Sequence, residues 1–292
     1  MEKIEEISDK PLNLKLKDRK ILMELDFGAR QTNSQIAKKV GLNKQNVDYR
    51  INSMIKKGVI TSFYPLINLN RLGRRYCRLL VRFQNMTEES EAKLFDEMVR
   101  DKRFNWIVKL EGKYDMIVGL WVGSISEFKA IVDEFVSKYG YYIKDKIESI
   151  CTQLIHYQSR YILETADFKE IAFREDDTHS LIDQLDISIL KAISQNARKS
   201  LVSIAGELNV STKVVAYRIK KMEKNRLVHG YRANIDNNLL GYTHYKILLY
   251  LNNVSEKSVR QFKGYLKGDP RLIYFVEEVG LWNFDIECMF RT

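Results

Sequence analysis

An internal repeat constrains this chain more than any other feature. When the sequence is shifted by 168 positions against itself, the two halves align without gaps. Asp18-Arg19-Lys20-Ile21-Leu22 falls on Asp186-Ile187-Ser188-Ile189-Leu190, and the match continues through Leu72-Gly73 and Leu240-Gly241 to Gly112 and Gly280. About 24 positions between residues 18 and 124 are identical to their counterparts, and a gapless match of this length indicates a tandem duplication. Any fold of this chain must therefore be built twice.

The first part of each copy predicts three short helices. In copy one, Asp18 opens the first helix, Thr32-Asn33-Ser34-Gln35 is a capping-box pattern, and Asn43 is placed to cap a helix from about Lys44 to Lys57. Two helices joined by a tight turn, the second amphipathic and basic, are typical of a helix-turn-helix. Copy two repeats the plan with helices over Asp186 to Ile193, Ser200 to Leu208 and Thr212 to Asn225.

The second part of each copy predicts an α+β domain. In copy one the order is βαββαβ, the ferredoxin-like arrangement. Its elements are expected at Tyr76 to Phe83, Glu88 to Val99, Trp106 to Leu110, Met116 to Val122, Ser126 to Tyr139 and Ile143 to Tyr157. Copy two supplies only Tyr245 to Leu251, Glu256 to Leu266, Ile273 to Val276 and Phe284 to Phe290. Because a fourth strand has no sequence there, the strand from Tyr245 is expected to have an open edge, which invites pairing with another chain or covering by the linker.

Charge supports this division and indicates a polyanionic partner. The chain has 292 residues with 48 Lys+Arg and 38 Asp+Glu, a formal net charge of +10. Such an excess favours nucleic acid first and a membrane surface second. The excess is concentrated in residues 1–64 and 181–240, whereas residues 161–180 are acidic. We therefore expect helix-turn-helix 1 at 16–64, ferredoxin-like domain 1 at 65–160, a solvated acidic linker at 161–181, helix-turn-helix 2 at 182–232 and a partial second ferredoxin-like domain at 233–292.

Several function classes have little support in the sequence. No stretch approaches the ~18 apolar residues of a membrane span, and Met1 to Glu6 alternates charges without an apolar signal core, so a cytoplasmic protein is expected. Cys77, Cys151 and Cys288 fit neither a disulfide framework nor a metal pair, and the four histidines are not at ligand spacing. No nucleotide-binding glycine pattern or catalytic motif is visible. We therefore expect no cofactor, no metal and no enzymatic activity.

The third helix of each copy carries the candidate DNA contacts. Val47, Ile51 and Met54 recur at helical spacing and form the buried stripe. A recognition helix reads base edges mainly with its N-terminal residues, where Gln pairs with adenine and Arg with guanine. The expected contacts in copy one are Lys44, Gln45, Asn46, Tyr49 and Arg50, and in copy two Thr212, Lys213, Val214, Tyr217 and Arg218. Because the two sets differ, the two helices should read different half-sites. Arg30 and Arg198 are expected either to contact phosphate or to cap helix carbonyls.

In this order and spacing, the motifs resemble the leucine-responsive/asparagine regulator (Lrp/AsnC) family of bacterial and archaeal transcription factors. The carrying residues are Asp18 through Arg30, Ile36-Ala37, Val47-x-x-Arg50-Ile51, Gly58-Val59-Ile60 and Leu72-Gly73, and the resemblance covers roughly 16–157 and 182–292. It implies a winged helix-turn-helix followed by a ferredoxin-like effector domain that dimerises. The implied partner is double-stranded DNA.

The resemblance also implies a small effector, often an amino acid, near the turn between the second and third strands of the effector domain. The matching residues are Gly112 and Asp115, whose carboxylate would hold an amino group. Copy two keeps Gly280 but has Asn283 at the second position. Family members usually carry one copy per chain. This chain is therefore expected either to form an internal pseudo-dimer or to pair each copy with its counterpart in a homo-oligomer.

Other readings stay open beside a sequence-specific regulator. The βαββαβ fold is shared with RNA-recognition modules, but Met116 to Trp121 lacks their stacking-aromatic signature. An architectural DNA-binding or protein-interaction protein without sequence readout is the main alternative. Val214 and Ala216 on the second recognition helix would suit it. That alternative predicts salt-sensitive binding with no sequence preference.

Overall fold

The computed structural model describes residues 11–166, 169–252 and 255–291. Three parts of the predictions lie outside these ranges. They are Met1 to Glu6, where the sequence shows no apolar signal core, two residues of the expected linker (Asp167 and Phe168) and Thr292 of the partial domain. None of the helices in the described ranges has the length and apolar character that a membrane crossing needs.

The elements follow the predicted duplication closely. Copy one contains α1 (Leu16–Leu25), α2 (Asn33–Val40), α3 (Lys44–Lys56), β1 (Ile60–Ile67), β2 (Arg75–Phe83), α4 (Glu88–Arg100), β3 (Trp106–Lys109), β4 (Met116–Val122), α5 (Ile125–Tyr139) and β5 (Ile143–Tyr157). The connecting segment adds β6 (Glu170–Arg174). Copy two contains α6 (Gln184–Gln195), α7 (Leu201–Leu208), α8 (Thr212–Lys224), β7 (Val228–Ile235), β8 (Tyr242–Leu249), α9 (Glu256–Lys267), β9 (Leu272–Val279) and β10 (Phe284–Arg291).

Local caps explain where the helices of the two helix-turn-helix units begin. Thr32 and Gln35 form the predicted capping box at the start of α2, and Gly41 ends that helix in the left-handed region at φ 64°. The Asn43 side chain accepts a hydrogen bond from the backbone N–H of Asn46 and starts α3. In copy two the Ser211 side chain accepts from the backbone N–H of Val214 in the same way. The repeat therefore fixes the same tight turn twice.

The strands β1 and β7 pair with each other and form a small two-stranded antiparallel sheet. Each strand directly follows the third helix of its copy, so each is the wing of a winged helix-turn-helix. Wings are part of the fold class expected from the sequence, but the pairing of the two wings across the copies was not predicted. This pairing joins the two helix-turn-helix units within one chain.

The two ferredoxin-like parts also join. The larger sheet has the order β3-β4-β2-β5-β9-β10-β8, so the fourth strand of copy one pairs with the second strand of copy two. Among the strands of the described residues, β8 pairs with β10 alone and occupies the far edge, as the missing fourth strand predicts. The internal pseudo-dimer, one of the two arrangements left open by the sequence, is the one that this structure contains.

The segment at 161–181 is more structured than its acidic composition predicts. Residues 170–174 form β6, which pairs with the distal half of β5, and Phe173 on this strand is buried. The long strand β5 makes this possible because it extends beyond its pairing with β2. A uniformly solvated linker is therefore wrong for this stretch. The burial of one aromatic side chain outweighs the local charge.

The large sheet curves so that its two end strands approach each other. The Lys246 Nζ on β8 lies 5.9 Å from the ring centroid of Trp106 on β3. Leu80, Ile117 and Trp282, from both copies, share one hydrophobic cluster inside this curve. The helices α4 and α5 cover the outer face over a second cluster. The inner face thus lines a partly open space between the two copies.

Candidate nucleic-acid interface

The first turn of α3 presents the predicted contact residues to solvent. Val47, Ile51 and Met54 are buried, which turns the opposite side of the helix outward. Four predicted residues are exposed there: Lys44, Gln45, Asn46 and Tyr49. Tyr49 is 74% exposed although it is a large aromatic residue. An exposed tyrosine beside a lysine and two amides is suited to groove contacts rather than to packing.

The first turn of α8 presents a different surface. Lys213, Val214 and Tyr217 are exposed, and Thr212 is half-buried. At the positions of Gln45 and Asn46, copy two therefore shows a cation and a methyl-bearing side chain. The two helices share the exposed tyrosine and differ in the residues beside it.

Arg50 and Arg218, both predicted to contact bases, form ion pairs with the first helical segment of their own copy in this structure. The Arg50 guanidinium donates to Asp18 Oδ1 on α1 at 2.7 Å. Arg218 pairs with Asp183 at 2.6 Å and with Asp186 at 3.2 Å on the first helix of its copy. The Asp186 backbone N–H and the Arg218 guanidinium hold the pKa of the Asp183 carboxyl below its usual value. These arginines tie the recognition helix to the first helix because their helical position faces that neighbour.

Arg30 and Arg198 lie between the two copies. Arg30 donates to the backbone carbonyls of Ala197 at 2.6 Å and Lys199 at 3.1 Å. In return, Arg198 donates to the Ala29 carbonyl at 3.1 Å and to the Asn33 side chain. Both arginines therefore bind carbonyls of the opposite copy, and these carbonyls lie in the loops between the first two helices of each unit. The sequence predicted either a phosphate contact or the capping of helix carbonyls, and it did not predict this contact across the copies.

The contacts around these arginines repeat with two-fold symmetry. The Arg30 guanidinium carbon lies 5.5 Å from the Tyr231 ring centroid, and that of Arg198 lies 5.4 Å from the Phe63 ring centroid. Tyr231 and Phe63 are equivalent positions of the repeat. The backbone N–H groups of Ala29 and Ala197 donate to the carbonyls of Tyr231 and Phe63 at 2.8 and 2.9 Å. The two helix-turn-helix units are thus held by one reciprocal set of contacts, as in an isologous dimer.

The predicted effector turn of copy one is open around Gly112, and the carboxylate of Asp115 in this turn already binds a backbone N–H group. Asp115 Oδ2 accepts a hydrogen bond from the backbone N–H of Phe83 at 2.6 Å. At the equivalent place in copy two, Asn283 Oδ1 accepts from the backbone N–H of Leu251 at 2.7 Å. Both side chains fasten the end of the first strand, and either an acid or an amide can do so. A Cβ built on Gly112 would meet no atom within 4 Å.

A cavity of about 480 Å³, which was not predicted from the sequence, lies between the inner face of the large sheet and the wings. Residues of both copies line it, among them Tyr64, Arg78, His156, Arg232 and Glu287. The available signal was alternation: on β10, and less regularly on β2 and β8, polar or aromatic residues alternate with apolar ones. Such a pattern ordinarily indicates a solvent-facing side. In this chain that side faces the other copy.

Comparisons with known proteins agree with the duplicated arrangement. The family described as winged helix-turn-helix DNA-binding matches residues 14–61 and 182–228, two segments separated by the 168 positions of the repeat. The HTH-type transcriptional regulator Ptr1 of Methanocaldococcus jannaschii is 35% identical over 110 residues, which are 37% of this chain and 71% of that protein. The proline dehydrogenase transcriptional activator of Rhodobacter capsulatus is 30% identical over 121 residues, 41% of this chain and 79% of the relative. The chain belongs to the Lrp/AsnC family of helix-turn-helix transcription regulators.

Each of these relatives corresponds to about one copy of the repeat, so this Lrp/AsnC protein is a tandem member. A solved structure, the siroheme decarboxylase NirDL, covers both copies together. It matches 94% of this chain and 82% of its own with a TM-score of 0.62 and 12% sequence identity. At that identity the likeness shows a shared fold and nothing of the reaction. The described residues of this Lrp/AsnC chain hold no cluster of three or more His, Cys, Asp or Glu side chains placed for a metal ion.

Proposed function

We propose that this chain is a transcription regulator that reads an asymmetric double-stranded DNA site with two unlike recognition helices. The observation that carries the proposal is the reciprocal lock between the two helix-turn-helix units. It relates α3 and α8 as the two halves of a dimer are related, while their exposed first turns differ. In dimeric regulators of this class, two such helices enter successive major grooves about one DNA turn apart.

The exposed side chains suit different bases in the two half-sites. Gln45 and Asn46 can each pair with adenine through two hydrogen bonds, and Lys44 can reach a phosphate. In copy two, Lys213 can contact guanine or phosphate, Val214 can pack on a thymine methyl group, and Thr212 can reach either kind of partner. Tyr49 and Tyr217 occupy equivalent positions and would make the contact that is common to both half-sites.

The alternative is an architectural protein that binds DNA without reading its sequence. Copy two favours it more than copy one because Val214 and Ala216 offer no hydrogen bond to a base edge. The regulator is the better supported function because α3 exposes two amide side chains in its first turn, and amides are specific readers of base edges.

We propose a non-catalytic, cytoplasmic role at chromosomal DNA, with no cofactor. The relatives identified by sequence are named as regulators, and the acids and bases around the central cavity are largely engaged in ion pairs with one another. An amino-acid effector near Gly112 and Asp115 remains a separate proposal, suggested by the family. Its test is titration of L-leucine into the wild-type protein and the Asp115→Asn variant, with the heat of binding as the readout. Since Asn283 performs the structural contact of Asp115, this variant should fold and should lose only the charge.

A selection from random duplex DNA with the purified full chain tests the main proposal. We expect an enriched motif with two unlike half-sites whose centres lie about 10 base pairs apart. A palindromic motif would mean that equivalent copies from two chains pair on DNA, and it would contradict the internal pseudo-dimer as the reading unit. Salt-sensitive retention without any enriched motif would replace the regulator by the architectural protein.

A further inference from the structure

The central cavity has a built lining that the DNA-binding role does not use. Its volume is about 480 Å³, within the range of small-molecule sites. One wall is the inner face of the large sheet, and the other is formed by the wings β1 and β7. Tyr64 belongs to one wing and Arg232 to the other. A molecule bound here would touch both copies at once.

Aromatic side chains form part of the accessible wall. Four aromatic side chains line the cavity and are only half-buried, which leaves part of each ring open to it: Tyr64, Tyr76, Trp106 and Tyr274. Three of them belong to copy one and Tyr274 to copy two. Accessible ring surface of this kind favours a planar aromatic occupant through offset stacking.

The charged side chains on this wall are already neutralised. Arg78 is buried between Glu278 and Asp285, and Arg232 pairs with Asp26. Glu287 pairs with Lys246 and with His244, the latter at 2.8 Å. In these ion pairs, four carboxylates therefore balance the three cations of Arg78, Arg232 and Lys246. Within the described part of the chain, each lysine and arginine at this wall is already paired, and burying an anionic ligand without a partner would be costly.

His156 is a group on the wall with both of its polar atoms unpaired in the part of the chain that the structure describes. It is 8% exposed, and within the described residues neither of its ring nitrogens has a hydrogen-bond partner. Burial lowers the pKa of this imidazole to about 3, so it is neutral and offers one N–H donor and one acceptor. Its ring is held between Phe173 and Tyr274, with centroid distances of 4.9 and 5.1 Å. A buried polar group without partners is destabilising unless a bound molecule satisfies it.

We propose that the central cavity binds an uncharged, flat nitrogen heteroaromatic molecule of about nucleoside size. The half-buried rings supply stacking surface, a turn of the His156 imidazole would bring a donor or acceptor to the ring nitrogens, and the internally paired charges disfavour a phosphate or carboxylate. The amides of Asn234 and Asn237 and the hydroxyl of Ser159 line the same space and can take polar substituents.

The position of the cavity gives the bound molecule a route to the recognition helices. The strand β1 follows α3, and β7 follows α8, so the walls that hold Tyr64 and Arg232 are continuous with the DNA-reading units. Occupancy would bias the wing pairing and hence the spacing of the two helices. This regulatory consequence rests on the proposed DNA-binding function, whereas the binding site itself does not.

The test uses 2-aminopurine riboside, a fluorescent uncharged nucleoside, and its 5′-monophosphate as a matched pair that differs in charge. The full-length protein without DNA is titrated with each, and quenching of the probe is followed. We expect the riboside to bind at least tenfold more tightly than the monophosphate. Equal or tighter binding of the monophosphate would overturn the assignment of an uncharged ligand, and no quenching by either probe up to about 1 mM would overturn the site.

His156→Phe removes both nitrogens and keeps a ring of similar shape. We expect at least a tenfold loss of riboside affinity with an unchanged or higher Tm, because an unsatisfied polar group is replaced by an apolar one. The matched control is His229→Phe: His229 contacts the same Phe173 ring at 5.0 Å but does not line the cavity. Unchanged affinity in a folded His156→Phe variant would overturn the role of His156.

A separate arm measures affinity for the selected DNA with and without the riboside. Riboside binding to the protein alone is measured first. A failure of the protein to bind DNA would therefore not affect the conclusion about the ligand site. Binding of the riboside without any change in DNA affinity would contradict the regulatory consequence alone.

Discussion

At the scale of single residues, the inner face of the large sheet shows how the two copies depend on each other. Arg78 of copy one lies fully buried between Glu278 and Asp285 of copy two. The two carboxylates raise the pKa of this guanidinium, against the effect of burial, so that it stays charged. Removing one partner would leave buried charge uncompensated, and this makes the contact strongly specific for the paired arrangement.

His156 makes the stability of the protein sensitive to acid. In the native state burial lowers its pKa to about 3, whereas in the unfolded chain it titrates near 6.5. The unfolded state therefore takes up a proton first, and the native state loses up to about 1.4 kcal/mol per pH unit as pH falls from 6.5 towards 3. We expect His156→Phe to remove this loss, so that its advantage over the wild type grows steadily between pH 7 and pH 4.

Urea midpoints measured at pH 7, 5.5 and 4 would show the divergence. The exposed His179 supplies a control substitution, His179→Gln, which removes an imidazole from the surface. Parallel curves for wild type and His156→Phe would contradict the buried neutral state of this imidazole.

At the scale of elements, the sequence predicted what depends on local periodicity. The helix starts at Asn33 and Thr212, the strands β4 and β5 and the open edge of β8 all follow from patterns within one copy. The cross-copy pairing of β1 with β7 and the strand β6 did not follow from such patterns. Their partners are distant in sequence, and no local period encodes them. The same limit applies to the site: amphipathic spacing predicted the exposed Tyr49 and Tyr217, but the partners of Arg30 and Arg50 are tertiary.

The lock between the two helix-turn-helix units distinguishes a structural from a phosphate-binding role for Arg30 and Arg198. Each arginine donates hydrogen bonds across the interface and stacks near an aromatic ring. We expect Arg198→Ala to lower the free energy of unfolding by about 1–3 kcal/mol, since carbonyl contacts and a cation–π contact are lost together. The double variant Arg30→Ala/Arg198→Ala should lose more. Arg100, which is largely exposed on α4, provides the control Arg100→Ala with little effect.

Chemical denaturation followed by tryptophan fluorescence measures these differences, and the salt dependence of DNA binding completes the test. A phosphate contact would instead leave stability unchanged and would reduce the salt slope by about one unit per arginine.

At the scale of the whole molecule, duplication within one chain allows the two recognition helices of a dimer-like unit to evolve different sequences. In a homodimer both recognition helices must carry the same side chains, and their operator must be symmetric. Here the wings, the reciprocal arginines and the β5–β9 pairing keep the dimer geometry, while α3 and α8 are free to diverge. Their first turns have diverged at Gln45 and Asn46 against Lys213 and Val214, yet both retain the exposed tyrosine. Fusion of the two copies therefore permits recognition of an asymmetric DNA site while the two helix-turn-helix units keep their two-fold arrangement.

Making the two first turns alike should restore a symmetric operator. The variant Lys213→Gln/Val214→Asn gives α8 the exposed amides of α3, and all four positions face solvent, so folding should be preserved. Gln and Asn both pair with adenine, and we expect repeated duplex selection to enrich a site with two similar, adenine-containing half-sites in place of two unlike ones. Lys213→Ala/Val214→Ala is the matched control: it removes the side chains of copy two without supplying new readers, and its motif should shorten to the half-site of α3. An unchanged asymmetric motif in both variants would show that α8 does not read bases and that copy two contributes affinity through the DNA backbone alone.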